Sequence, residues 1–143
     1  MRKILFRGKV VRDGPWVYGY YCFMRPNLSQ QSKHLIQPFD SCRVGLPLKE
    51  VNEKTVGEFT GMRDKHGREI YEGDILKFPE FSIGEEHFPE SYGKVIWDDG
   101  GWNVAMAEGG TLDVLDTDTA AQAKIAGNIF DNPELMETNC DGE

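Results

Sequence analysis

Short runs of apolar, β-branched and aromatic residues, separated by polar turn residues, recur along most of the chain, which is the pattern of β-strands. Residues 3–12 and 16–24 are two such runs, and the turn cluster Arg12-Asp13-Gly14-Pro15 between them predicts a β-hairpin. In residues 16–24 the apolar residues fall on both sides, which predicts a strand covered on both faces or paired in an oligomer. Six further runs predict short strands at residues 56–61, 69–70, 74–78, 93–98, 102–107 and 125–130. We therefore expect a mainly β fold with minimal helix, in which the later strands form a small β-barrel, SH3-like or related.

Two stretches interrupt this pattern and predict loops. Residues 25–42 are polar and turn-prone, and residues 79–91 carry two prolines and four carboxylates. We expect a long connection in the first case and an exposed loop in the second. Helix is expected at residues 117–124, capped by Thr117, Asp118 or Thr119, and in a second short turn at residues 132–135.

The change from hairpin and long loop to closely spaced strands divides the chain into two regions. Residues 1–55 form an N-terminal β-hairpin region with a long loop, and residues 56–143 form the small barrel region. At 143 residues one cooperative core is the default expectation, so both regions could belong to a single domain.

Charge is distributed unevenly along the chain, although the net charge is only -8. Residues 1–70 hold 13 Lys and Arg against 7 Asp and Glu, hence +6, and residues 71–143 hold 3 against 17, hence -14. The basic half could contact nucleic acid through its phosphates. The alternative is that the two halves are ordinary solvated faces, with the basic half of one copy able to dock on the acidic half of another.

Cysteine usage and hydropathy favour a reducing cytoplasm. Cys22, Cys42 and Cys140 are odd in number and form no CxxC pair, which argues against a disulfide framework and a thiolate zinc site. The N-terminal apolar run is broken by Arg7 and Lys9, so no signal peptide is expected. No apolar run approaches the length of a membrane span.

The densest local pattern is the run VGEFTGMRDKHGREIYEGDI at residues 56–75. Asp64 can accept bonds from turn amides and Gly67 can take a left-handed conformation, which predicts a hairpin loop between two strands. Gly73 and Asp74 predict a second tight turn that leads into a strand. These four residues are therefore interpreted as structural.

The same run contains the carboxylates that a magnesium-dependent hydrolase would need. Several carboxylate oxygens must converge to hold a hard divalent cation, and the candidates are Glu58, Asp64, Glu69, Glu72 and Asp74. The turn roles of two of them favour a structural reading. His34, His66 and His87 lie far apart without metal-ligand spacing, so no metal site and no cofactor is expected.

The run at residues 56–75 resembles the hallmark of the YopX family of bacteriophage and prophage proteins. Three further segments agree with that family in the right order: residues 2–7 (RKILFR), residues 93–98 (GKVIWD) and residues 127–135 (GNIFDNPEL). The resemblance implies a β-rich fold with a small barrel, a phage or prophage origin in a bacterial host cell, and self-association. It implies no established activity and no catalytic residues.

Two functions of different class follow. The first is a non-enzymatic phage accessory protein that self-associates and binds a host or phage protein. The second is nucleic-acid binding, in which aromatic stacking combines with phosphate-neutralising charge. Its candidate surface, which could equally be a partner surface, comprises Arg2, Lys3, Arg7, Lys9, Arg12, Trp16, Tyr18 and Tyr20.

Overall fold

A computed structural model of the chain describes residues 4–25, 27, 31–38, 48–112 and 114–137, and these are mainly antiparallel β-structure. The strands are β1 (Phe6–Lys9), β2 (Trp16–Met24), β3 (Lys33–Pro38), β4 (Lys49–Glu50), β5 (Gly57–Arg63), β6 (Glu69–Tyr71), β7 (Asp74–Phe78), β8 (Phe81–Ile83), β9 (Glu86–Phe88), β10 (Ser91–Asp98), β11 (Gly101–Met106), β12 (Thr111–Leu112) and β13 (Lys124–Asn128). A short helix, α1 (Thr117–Gln122), and 3-10 turns at Glu53–Thr55 and Pro133–Met136 complete the secondary structure. The predicted mainly β class is confirmed.

The chain divides into two compact units, Met1–Phe59 and Thr60–Glu143. In the first unit the strands lie in the order β4-β3-β2-β1-β5, all antiparallel. Its buried apolar residues include Leu5, Ile36 and Val51. Gly8 is required at the centre of this packing because a Cβ there would lie 2.9 Å from the Val51 Cβ and 3.1 Å from the Ile36 Cδ1.

The second unit is built on a five-stranded antiparallel sheet with the order β12-β11-β10-β7-β13. The C-terminal end of β5 forms a hairpin with β6. Strands β8 and β9 form a separate two-stranded sheet. Apolar residues from the hairpin, the sheet and the helix share one core: Met62, Ile70, Leu76, Val95, Val104, Leu115, Ala120 and Ala123. These residues are spread from Met62 to Ala123, so the unit is held together by long-range packing.

The predicted small barrel is not confirmed, because no sheet closes on itself among the residues that the structure describes. The five-stranded sheet ends at β12 on one side and at β13 on the other, and these two strands do not pair with each other. A barrel requires its first and last strands to pair with a matching stagger. With β12 only two residues long, that edge offers little backbone for such pairing.

Both predicted loops contain strands. Residues 25–42 include β3, which pairs with β2 along its whole length, so the prediction of a long connection was wrong there. Residues 79–91 are exposed as predicted but include the β8–β9 hairpin. The polar and turn-forming residues around these strands hid them from the sequence pattern.

The short helical segments lie close to their predicted positions. The helix cap is Asp116, one residue before the predicted candidates, and its Oδ1 accepts a hydrogen bond from the Thr119 N–H at 2.7 Å. The second turn is a 3-10 turn that begins at Pro133. In the described part of the chain, no helix is long and apolar enough to cross a membrane.

Candidate interaction surfaces

Asp64 is the hydrogen-bonding centre of the loop between β5 and β6. Its Oδ1 accepts from the N–H groups of His66 and Arg68, both at 2.9 Å, and its Oδ2 accepts from the Ile125 N–H at 3.0 Å and from the Arg68 Nε at 3.2 Å. Burial raises the pKa of Asp64, but the backbone donors and the Arg68 guanidinium outweigh burial and hold that pKa below its ordinary value. The carboxylate is therefore used for structure.

Arg68 and Lys65 connect the loop between β5 and β6 to residues 123–125, at the start of β13. The Arg68 guanidinium donates to the Ile125 carbonyl at 2.8 Å, and the Lys65 N–H donates to the Ala123 carbonyl at 2.9 Å. Gly67 completes the turn with a φ of +80°, a conformation that glycine adopts without strain. The loop is thus attached to β13 by both main-chain and side-chain bonds.

Asp74 and Gly73 form the second turn of the signature. The buried Asp74 carboxylate accepts from the Tyr71 N–H at 2.8 Å, while Gly73 has a φ of +92° and donates to the Val95 carbonyl at 2.9 Å. The turn therefore fixes how β7 enters the sheet beside β10.

The carboxylates considered for magnesium do not form a shared site. Among the described residues, no three Asp, Glu, His or Cys side chains are placed to hold a metal ion. Glu69 lies 3.5 Å from the Arg63 guanidinium, and Asp64 and Asp74 accept backbone bonds. Nothing in this part of the chain supports the hydrolase hypothesis.

The basic and aromatic candidates of the first hairpin have separate environments. Arg7 is buried, with its guanidinium carbon 4.7 Å from the centre of the half-buried Trp16 ring. Lys9 is half-buried and Arg12 is exposed in the turn after β1. Arg2 and Lys3 lie outside the described residues. The predicted surface is therefore not a continuous line of exposed cations, since Arg7 is engaged within the protein.

Exposed apolar side chains remain on one side of β2, and we call this surface the β2 face. Tyr18, Tyr20 and Met24 occupy alternate positions and are 39%, 58% and 45% exposed. Residues directly opposite in antiparallel strands share a side of the sheet. The pairing places Lys33 opposite Met24 and Lys9 opposite Trp16, so the β2 face has a lysine towards each end.

A second exposed apolar surface lies on the β8–β9 hairpin, residues 81–88, which we call the arm. Phe81, Ile83 and Phe88 are 51%, 66% and 37% exposed. Phe81 and Phe88 are directly opposite and their rings stack at 4.7 Å, while Ile83 is opposite Glu86 on the same side. The sequence pattern missed this surface, although alternating Phe81 and Ile83 before Gly84 was a usable signal.

A cleft of about 570 Å³ lies at the base of the arm. Its walls include Phe78, Pro79, Phe81 and Met106, with Thr119 and Gln122 from the helix. None of its lining residues is charged. Its chemistry suits an apolar group with a few hydrogen-bonding atoms.

In the first unit, the side chains of Tyr21, His34 and Glu53 contact one another in a row. The Tyr21 hydroxyl is hydrogen-bonded to the His34 Nδ1, and the His34 Nε2 lies 3.5 Å from a Glu53 carboxylate oxygen. Burial, followed by the nearby Glu53 and Cys22, raises the pKa of Tyr21. A phenol that retains its proton is the opposite of an activated nucleophile, so this arrangement is read as a structural link between β2 and β3.

Comparison with known proteins agrees with the architecture. A family model described as YopX protein matches residues 5–137. The chain is also similar to the crystal structure of protein EF1440 from Enterococcus faecalis, with a TM-score of 0.54 and 20% identity over 96% of this chain and 100% of that chain. At that identity the likeness concerns the fold alone. A search of curated proteins gave no match. Because the family model spans most of its length, the chain belongs to the YopX family.

Proposed function

We propose that this protein is a non-enzymatic accessory protein of phage or prophage origin that works by self-association and by binding other proteins. The observation that carries the proposal is the arm, a separate two-stranded sheet with Phe81, Ile83 and Phe88 exposed. A hairpin with three residues in each strand is marginally stable in water, so covering its apolar side would stabilise it.

The two turns within residues 56–75 support the same proposal, because their carboxylates have structural roles. The carboxylates of Asp64 and Asp74 are buried and accept backbone hydrogen bonds, which leaves them structural rather than catalytic roles. The apolar side chains of the arm and the β2 face, by contrast, are exposed where a second protein can reach them. Binding through such surfaces needs no reactive group.

The proposal is tested by measuring self-association of purified protein by sedimentation equilibrium over a wide concentration range. Ile83→Ser should weaken association about tenfold, because it removes an exposed apolar anchor from the contact. Val114→Ser is a matched control, since Val114 is 62% exposed against 66% for Ile83 but lies outside the arm. Wild-type protein that stays monomeric at every concentration would contradict the proposal.

Nucleic-acid binding is the second candidate, favoured by the exposure of Tyr18 and Tyr20. Exposed aromatic rings can stack on bases in a sequence-tolerant way. The engagement of Arg7 with Trp16 weakens this candidate, because both residues belonged to its surface. Fluorescence anisotropy of labelled single-stranded DNA at low salt tests it, and binding would have to be lost in Tyr20→Ala.

A further inference from the structure

The arm and the residues that flank it are acidic. Residues 79–91 contain four glutamates and no lysine or arginine. Glu90 is paired with Lys77 at 3.4 Å, and Glu80 lies 3.5 Å from the His87 Nε2. Glu86 lies on the same side as Phe81, Ile83 and Phe88, so the apolar side of the arm includes a carboxylate.

The β2 face has the opposite character. Residues 1–59 hold 10 Lys and Arg against 5 Asp and Glu, hence +5, and residues 60–143 hold 6 against 19, hence -13. Lys33 is exposed beside Met24, and Arg25 follows directly in the chain. Glu50 shares this side but lies at the sheet edge, opposite Leu35. An apolar and aromatic stripe is thus bordered by lysine at the β3 end.

These two surfaces are complementary in both charge and polarity. An apolar side containing a glutamate would meet an apolar stripe bordered by a lysine. Contact between two arms would instead bring two acidic hairpins together, and like charges facing each other oppose association. The arm therefore suits the β2 face of a second copy better than it suits another arm.

We propose that the arm of one copy docks on the β2 face of a second copy, with Glu86 near Lys33 and with Phe81 and Ile83 against Tyr20 and Met24. This inference rests on the proposed self-association and names the surfaces that carry it. A hairpin with three residues in each strand makes a small contact. A stable interface buries about 1,200–2,000 Å² of surface in total. Each copy in a closed assembly would therefore give one arm and receive another.

Charge reversal with a rescue tests the docking. Lys33→Glu and Glu86→Lys should each weaken self-association about tenfold, since each brings like charges together. The double variant Lys33→Glu with Glu86→Lys should return to within about threefold of wild type. Mixing the two single variants should also restore association, because every contact between unlike copies then joins opposite charges.

Two control variants separate this contact from general charge effects. Lys49→Glu changes an exposed lysine on the opposite side of the same sheet, since Lys49 is opposite Ile36. Glu108→Lys changes an exposed carboxylate outside the arm. Both should leave association within about twofold of wild type, and circular dichroism of all variants should match wild type.

The outcomes distinguish this inference from the proposed function. If Glu86→Lys alters association while Lys33→Glu does not, the arms contact each other or another surface and the inference is wrong, but self-association stands. Failure of the double variant to recover would also overturn the pairing of Glu86 with Lys33. A wild-type protein that never associates would contradict both proposals.

Discussion

At the scale of single residues, Asp64 shows why a charged signature need not be an active site. Its two carboxylate oxygens accept four hydrogen bonds, three from backbone N–H groups and one from the guanidinium group of Arg68. Its turn role could be predicted from the spacing to Gly67. Its bond to the Ile125 N–H joins positions 61 residues apart, and no local pattern encodes that contact.

We expect Asp64→Asn to lower the free energy of unfolding at neutral pH. The variant should also lose less of that free energy in acid than wild type does. Hydrogen bonds to a charged group contribute about 1.5–3 kcal/mol, so the variant should lose about 2 kcal/mol at neutral pH. Because the folded-state pKa of Asp64 is lowered, the unfolded chain binds more protons in acid. The contribution of Asp64 is thus present above about pH 4 and lost as the pH falls through its folded-state pKa.

The measurement is the free energy of unfolding in urea between about pH 3 and pH 7. Wild type should lose stability towards low pH more steeply than Asp64→Asn, and exposed Glu108→Gln should follow wild type. Equal pH slopes for wild type and Asp64→Asn would show that the bonded carboxylate does not stabilise the fold.

At the scale of elements, the packing of β10 against β11 depends on Gly93. A Cβ at this position would lie 2.4 Å from the Val104 Cγ1 and 2.9 Å from the Met106 Sδ. Val104 is fully buried in the core of the second unit, so it has little room to move. The absence of a side chain at Gly93 therefore permits the two strands to pack.

We expect Gly93→Ala to destabilise the protein by about 1–3 kcal/mol, the usual cost of overpacking. Gly101→Ala is the matched control in the same hairpin, because its Cβ would meet nothing within 4 Å. Chemical denaturation of both variants measures the difference. A Gly93→Ala protein as stable as Gly101→Ala would mean that Val104 and Met106 relax without cost.

The strands were more predictable than their pairing. The apolar residues at 74–78 and 93–98 predicted β7 and β10 closely, since each strand carries several buried positions. β3 was missed because its buried pair, Leu35 and Ile36, lies in a polar, turn-prone stretch at residues 25–42. Barrel closure was not predictable in this way, because it depends on which edge strands meet, and that is a long-range property.

The candidate surfaces were predicted less well than the strands. Exposure of Tyr18 and Tyr20 agrees with the predicted surface, whereas Arg7 is buried despite its charge. Its position over Trp16 depends on the pairing of β1 with β2, which a sequence pattern does not describe in atomic detail. The arm was assigned to a loop, since four glutamates and two prolines obscured the alternation of Phe81 and Ile83.

At the scale of the whole molecule, the two units carry opposite net charge, +5 and -13. If oppositely charged surfaces of two copies meet, their attraction falls as ions screen it over a Debye length of about 10 Å at 0.1 M salt. Raising sodium chloride from about 50 mM to about 500 mM should therefore weaken self-association roughly fivefold. Sedimentation equilibrium at each salt concentration measures this change.

The salt experiment also distinguishes charge attraction from apolar burial. Apolar burial is not weakened by added salt in the way that charge attraction is. Association that stays constant or strengthens in 500 mM salt would assign the contact to apolar groups alone. Glu108→Lys provides the control, since its net charge changes by two while the arm remains intact.

The hydrogen bonds of Asp64 have a consequence for how this family can diversify. The Asp64 carboxylate is fully used inside the protein, so its role does not depend on what the protein contacts outside. If the arm is a contact surface, as proposed, residues 56–75 can stay the same for folding while residues 81, 83 and 88 change with the partner. Two proteins that share this signature would then share an architecture without sharing a target.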